Sequence, residues 1–441
     1  MFFFLLNQAW RGLWKKPGTT LICLIAIALG VGAASSTTTL QHTFSNDPFT
    51  HNSSRLFNVR IDTWQADREF FDVAPGEPPK HNTYRDVHAM MEQGHPTRQT
   101  AVANAVGYAF PPESNQKPYK AMIQLVHHDF FSMFEVPFAA GSAWDADADA
   151  KAKPLVVLSQ PANQKLFGGE NSVGKSLKLG GLEYTICGVM AAYNPFPKAY
   201  DMVNNPYSEI HDFFIPFDLI RNPESQLEST GDTDAFGPDE TFQGDNLYTV
   251  AEYYWIQFWV ELSSEQVPEY TQFLEHYAQS QKEAGRHPRP INNRVTPLRD
   301  WLSERGRVNQ ATAVLVVLSL LFLIVCALNL TGLLMAKFMS RSQVLGIQRA
   351  LGATRGQVFL LHLLECELLA IFGGLLGLGV SYLAMGALRG MAGRFISGTV
   401  FSPDWFTFLS ALFFSLFVGV LAGFYPSWRA CRVAPAIQIK L

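Results

Sequence analysis

A chain of 441 residues is long enough for two or three domains, yet 34 Lys+Arg and 38 Asp+Glu make it only 16% charged, against roughly 25% for soluble domains. With 48% apolar residues and a net charge of -4, this excludes a disordered chain, collagen-like repeats and a basic nucleic-acid binder, and it places part of the molecule where charge is costly. Five cysteines, four of them inside apolar runs, make neither a disulfide framework nor a zinc module.

Residues 1–18 open with an apolar run followed by Trp10 and Trp14, the pattern of an interfacial amphipathic helix. Residues 19–40 form the first of four apolar stretches; the others are 311–336, 358–388 and 405–426. At about 1.5 Å per residue each crosses a hydrocarbon core of roughly 30 Å. Gly32-Ala33-Ala34-Ser35 after a basic flank also resembles a signal-peptide cleavage site, but cleavage would leave three spans, so the first span is read as retained. Lys and Arg fix the orientation. Arg11, Lys15 and Lys16 precede span 1, Lys337, Arg341, Arg349 and Arg355 lie in the connection 337–357, and Arg429, Arg432 and Lys440 lie in the tail 427–441. None of these segments holds an acid, and the loop 389–404 has only Arg389 and Arg394. Both termini and the connection 337–357 are therefore cytoplasmic, while 41–310 and 389–404 are outside. The fold class expected is an α-helical membrane protein with four transmembrane helices and a large α+β domain, outside the membrane, between the first and second spans.

Within 41–310 the periodicity predicts strands at 55–63, 100–107, 121–126, 155–158, 182–189, 253–262 and 291–297. It predicts helices at 84–91, 128–134, 160–167 and 265–281, and a helix at 301–310 running into span 2. Residues 222–245, rich in Pro, Gly, Ser and acids, read as a loop or insertion.

Three motifs invite chemistry and fail on context. Gly169 to Ser176 has Walker A spacing, but helical residues precede it and a strand-like run follows, the reverse of a phosphate loop. Asp145, Asp147 and Asp149 imitate the opening of a calcium loop, yet position six is Ala150 and position twelve Val156. His127 and His128 are adjacent, so they point apart in a strand, and no further ligand spacing completes a zinc set. With no Gly-x-Ser-x-Gly or His-Glu-x-x-His, nothing supports an enzyme, a catalytic residue or a metal site.

The informative segment is cytoplasmic. Val344, Ile347 and Leu351 form an apolar stripe, Arg349 lies nearly opposite, and Gly352 stops the turn, which describes a short amphipathic helix. It either lies on the inner leaflet or inserts into a cytoplasmic partner. Gly373 and Gly377 form a GxxxG that suits a dimer interface or a contact with span 4 or span 1. Glu365 and Glu367 are costly if buried in lipid.

GIQRALGATRGQVFLLHLLE, starting at Gly346, resembles the cytoplasmic connection of the MacB-like and FtsX-like ABC transporter permease family. The tail Gly423-Phe424-Tyr425-Pro426-Ser427-Trp428-Arg429-Ala430 and the stretches 166–176 and 184–190 are similar to other segments of that family. The resemblance implies a non-catalytic inner-membrane permease that dimerises, as a homodimer or with a related permease. It binds no cofactor directly; ATP and Mg sit on an ABC ATPase, expected as a separate subunit because only eighteen residues precede span 1. It implies ATPase coupling through Arg341, Val344, Gly346, Ile347, Arg349, Leu351, Gly352 and Arg355, with Glu365 supporting the coupling helix. One departure stands out: Val344-Leu345-Gly346 replaces the family's Glu-Ile-Gly, so contact with the ATPase leans on arginines and apolar packing. The resemblance further implies a two-lobed outside domain with an inserted outer lobe at about 98–245. Mechanotransmission for export, with a periplasmic adaptor and outer-membrane channel, is the function expected. A lipoprotein or lipid extractor is second, and an FtsX-like signalling protein controlling a periplasmic hydrolase third, which the size of the outside domain disfavours.

Overall fold

The computed structural model describes residues 2–45, 47–49, 51–66, 70, 76–112, 117–236, 253–305, 307–340, 346–347, 349–392, 396–397, 401–402 and 404–432. They form two compact units, Met1–Ser45 with Arg307–Leu441, and Asn46–Gly306.

Among the described residues, the first unit holds the N-terminal helix Phe2–Trp14 and four helices long and apolar enough to cross a membrane. These are span 1 (Pro17–Ser45), span 2 (Arg307–Met339), span 3 (Arg355–Ala392) and span 4 (Trp405–Arg432). All four outrun the apolar stretches, spans 1 to 3 at both ends and span 4 at its C-terminal end, because polar helix formers and caps extend them. Pro17 occupies the first position of its helix, where its missing N–H costs nothing. Thr354 and Gln357 exchange side-chain bonds with each other's backbone N–H (3.3 and 2.9 Å), a capping box that starts span 3 at Arg355. Pro426 does not end span 4, which continues to Arg432 into the segment expected as tail.

Span 1 is the hub of this bundle. Its hydroxyl run reaches each of the other spans: Ser36 meets Ser381 of span 3 at 2.8 Å, Thr37 meets Ser319 of span 2 at 2.6 Å, and Thr39 donates to Thr407 of span 4 at 3.1 Å. Hydroxyls buried away from water need such partners, and each interhelical bond contributes about 0.6 kcal/mol.

The second unit is built on one sheet of β1 (Leu56–Arg60), β2 (Asn82–Thr83), β3 (Arg98–Phe110), β4 (Tyr119–Val126), β5 (Phe138–Gly141), β6 (Leu155–Leu158), β7 (Ser176–Leu179), β8 (Leu182–Met190), β9 (Phe213–Pro216), β10 (Glu228–Thr230), β11 (Asp234–Ala235), β12 (Tyr253–Glu261) and β13 (Arg294–Pro297). The main path runs β13-β1-β12-β3-β4-β9-β6-β8-β5. Strands of the flanking segments thus sit at one end, those of residues 98–245 at the other, and the long β3 joins them. One edge of β3 pairs successively with β12, β10 and β7, and the other with β4. This explains why residues 222–245 are not all loop. β10 covers the stretch Asn104 to Val106 of β3 that neither β12 nor β7 reaches, satisfying its backbone groups. Residues 237–245 of that segment lie outside the described residues.

Side chains alternate across the sheet with period two. Ala101, Ala103, Phe258 and Val260 face a core shared with helices Tyr84–Gln93, Gln160–Phe167 and Gln266–Glu283. Val102 and Trp259 face the opposite core, with Phe130, Phe134, Tyr200 and Trp301. On that second face Asn104 and Gln257 donate to the buried carboxylate of Asp201, whose pKa burial raises, and Gln124 donates to Asn104. Leu298–Arg305 is helical and a helix resumes at Arg307, residue 306 lying outside the described residues.

Asp86 pins two helices of the first core. Its fully buried carboxylate accepts from Thr83 (2.6 Å), Tyr277 (2.8 Å) and Arg286 (2.8 Å), and lies 3.2 Å from His287 Nε2. Burial raises its pKa, but the His287 bond and the Arg286 charge outweigh that and hold it at about 2. A carboxyl depressed on folding stabilises fully above its unfolded value of about 4 and loses that contribution as pH falls towards 2; the shift corresponds to about 2 kcal/mol. Asp86→Asn should therefore destabilise the protein at pH 7 by about 3 kcal/mol. In urea unfolding followed by tryptophan fluorescence, variant and parent should converge between pH 4 and 2. Equal stability at pH 7 would refute this role.

Candidate functional site

At the bundle end that carries the Lys/Arg flanks, three chain segments meet around a buried ion pair. Lys337, in the last turn of span 2, is 1% exposed, and its Nζ lies 2.8 Å from Glu365 Oε1 in the first half of span 3. The same ammonium donates to Thr20 Oγ1 at the start of span 1 (3.3 Å), and Thr20 donates to the Leu13 carbonyl of the N-terminal helix (2.8 Å). A Cβ at Gly12 would stand 3.0 Å from the Glu365 carboxylate, so this position needs its missing side chain. The His362 ring lies 4.1 Å from that of Phe338, tilted by 38°, with Nδ1 3.9 Å from Glu365 Oε2. Lys16 Nζ donates to Ser340 Oγ (2.6 Å), which donates to the Lys337 carbonyl (2.8 Å). The charge pair thus locks both ends of the connection 337–357 to each other and to the N-terminal helix.

Residues 346–347 and 349–350 are helical. The Leu351 N–H bonds the Ile347 carbonyl and the Gly352 N–H bonds that of Arg349; Gly352 then ends the turn at φ +103°, a conformation that favours glycine. Gly346 is buried and Arg349 half-buried, whereas Ile347 is 53% and Leu351 83% exposed. Arg355, exposed, opens span 3, whose start packs on the end of span 4 through Val358 and Cys431. Arg341 and Val344 lie outside the described residues.

Gly373 and Gly377 both face span 1. A Cβ at Gly373 would come 2.6 Å from Ile27 Cβ, and one at Gly377 3.1 Å from the Ala28 carbonyl oxygen. Gly32 of span 1 reciprocates against Val380 at 2.8 Å. A second glycine seam, missed in the sequence, joins spans 3 and 4: Gly374 meets Ser415, Gly419 meets Ala370 and Glu367, and Gly423 meets Cys366. Lys337 was also missed as a partner of Glu365, having been counted only as a flanking charge. Charge balance was the available signal, since Glu365 is the first acid after Glu304.

The motifs of the outside domain are absorbed by its architecture. Residues 169–176 turn from helix Gln160–Phe167 into β7, through positive φ at Gly169 and Gly174, with Ser172 donating to Asn163 (2.6 Å). A strand follows where a phosphate loop needs a helix. Asp145 caps helix Ala146–Ala150, Asp147 pairs with Lys151 and Lys153, and Asp149 accepts from Trp144 (2.6 Å) and lies 2.7 Å from His128 Nδ1. The Asp149 hydrogen bond raises the pKa of His128, while burial lowers that of His127, which stacks on Phe217.

Residues 20–272 match the family model of the MacB-like periplasmic core domain, and residues 316–435 that of the FtsX-like permease C-terminal region. The macrolide export ATP-binding/permease protein MacB of Syntrophobacter fumaroxidans is 23% identical over 349 residues, 70% of this chain and 46% of that protein. The uncharacterized ABC transporter permease YknZ of Bacillus subtilis is 28% identical over 120 residues, 27% of this chain and 28% of that protein. The chain thus spans less than half the length of these curated relatives. The periplasmic region of MacB from Actinobacillus actinomycetemcomitans aligns with 57% of this chain and 92% of its own, at 12% identity and a TM-score of 0.34. One family model covers more than half of the chain and the other most of the remainder, so the chain belongs to the MacB-like, FtsX-like family of ABC transporter permeases, as a multi-pass inner-membrane protein with a large periplasmic domain.

Proposed function

We propose that this chain is a mechanotransmitting permease subunit. ATP hydrolysis on a separate ABC ATPase moves the connection 337–357, the spans pass that motion to the periplasmic domain, and substrate is expelled from the periplasm or outer leaflet. The observation that carries this reading is the exposure of Ile347 and Leu351 on a short turn held at both ends by the Lys337–Glu365 clamp. Two apolar side chains in water each forfeit about 1.5–3 kcal/mol relative to burial, so the turn favours an apolar socket. A rigid base lets force on it reach the spans instead of dissipating in a loose loop.

The relative named for macrolide export supports export as the direction. A periplasmic adaptor and an outer-membrane channel would complete the route. In the dimer this reading requires, span 2 is the favoured contact: 22% of its apolar window is buried within the chain, against 39–44% for the other spans, and Gly373 and Gly377 are already occupied by span 1.

Two measurements test the reading. In nanodiscs with an ABC ATPase encoded beside this chain, Ile347→Asp with Leu351→Asp should release the ATPase and abolish stimulated ATP turnover; retained association would defeat the proposal, as would ATP hydrolysis by the chain alone. Glu365→Ala strands the Lys337 charge and should cost about 3 kcal/mol or more of thermal stability in detergent. The double variant Lys337→Met, Glu365→Leu should recover most of that loss while remaining impaired in stimulated turnover. A harmless Glu365→Ala would show that the pair clamps nothing.

A further inference from the structure

The N-terminal helix packs on the bundle through Leu5, Ala9 and Leu13, while Trp10 and Trp14 are exposed. After the break at Lys15-Lys16 the chain turns into span 1 at Pro17, and the crook encloses a groove of about 650 Å³. Its walls include Trp10, Trp14, Leu21, Leu24, Phe372 and Leu376, drawn from the N-terminal helix, span 1 and span 3. The Trp10 ring packs 5.4 Å from Phe372 and 6.3 Å from Trp14, so the indoles form one wall. The volume falls within the range of small-molecule sites, roughly 300–1,000 Å³.

From this geometry we infer that the groove binds one acyl chain of an anionic phospholipid of the inner leaflet. The walls are apolar and lie where lipid tails are the available solvent, with tryptophans at the level where indoles mark the membrane boundary. The rim is cationic: Arg11 and Lys15 are exposed beside the tryptophans, Lys16 follows, and no acid occurs before Asp47. The acid of the neighbouring clamp, Glu365, is buried and paired with Lys337. Basic residues at a membrane surface select anionic headgroups. A second copy of the chain is a poor occupant, because two-fold packing here would bring two sets of Arg11, Lys15 and Lys16 together without a compensating acid. The bound lipid fills the space between the N-terminal helix and span 3, and so stiffens the same bundle end that holds the clamp.

The test uses the full chain in nanodiscs containing phosphatidylglycerol or phosphatidylcholine with brominated acyl chains, which quench nearby tryptophan. Subtracting the signal of a Trp10→Phe, Trp14→Phe variant isolates the groove. Phosphatidylglycerol should quench this signal at roughly thirtyfold lower mole fraction than phosphatidylcholine, given about 1 kcal/mol for each of two exposed cations. Arg11→Gln with Lys15→Gln, both at exposed positions, should bring the two lipids to parity. Leu21→Phe with Leu376→Phe, which fills the groove, should weaken quenching by both lipids. Equal quenching by the two lipids in the parent chain would overturn the inference, as would selectivity that survives loss of the cations. Absence of quenching together with cross-linking between copies through position 14 would assign the groove to a second chain instead.

Discussion

A lysine and a glutamate removed from water can remain charged only by holding one another, and this requirement organises the cytoplasmic end of the bundle. Lys337 and Glu365 lie on either side of the connection 337–357, so their 2.8 Å contact fixes the distance between the two helix ends from which it hangs. Desolvation of each charge costs several kcal/mol, and the pair is weak evidence for stability as such. Its value is geometric. An apolar pair of equal volume would pack, but would not set one register between spans 2 and 3 while also drawing in Thr20 and, through Leu13, the N-terminal helix.

Higher in the bundle the constraint changes from charge to distance. Helices surrounded by lipid gain little from the hydrophobic effect and must associate through close packing and shared hydroxyl bonds. Span 3 meets this with adjacent glycines that face different neighbours, Gly373 towards span 1 and Gly374 towards span 4. Span 1 adds Ser36, Thr37 and Thr39, each bonded to a different helix. Span 2 has few such contacts, and its outward face is almost continuous Val, Leu, Ile and Phe. Span 2 packs on spans 1 and 4 and meets span 3 through the ion pair. Force applied between Lys337 and Glu365 acts on that junction of spans 2 and 3.

Much of this was legible in the sequence, and what was not has specific causes. The four spans, the strands at 121–126, 155–158 and 182–189 and the helix at 160–167 follow from period and length, because burial of one face leaves a regular trace. The turn at Gly352 was legible because left-handed backbone strongly selects its residue. Asn104, Gln124 and Gln257 leave no such trace. Polar residues at alternate strand positions read as a solvent face, yet here they sit at 4%, 0% and 1% exposure under the segment that carries Asp201. Only a long-range contact turns such residues inward, and periodicity contains no long-range information.

The same blindness explains the site. GxxxG in a span announces a close approach but not the helix that makes it, so dimer and intramolecular readings stay equivalent until Ile27 and Ala28 are seen against Gly373 and Gly377. Lys337 was counted by the flanking-charge rule, which treats every Lys or Arg near a span end as solvated. That rule survives as a statement about orientation and fails as one about environment. A cation at a span end is free to face the headgroups only when no carboxylate on a neighbouring helix can be brought to it. Glu365, separated from Glu304 by a long stretch without any acid, could hardly remain buried without a cation, and the helix geometry brings Lys337 within 2.8 Å of it.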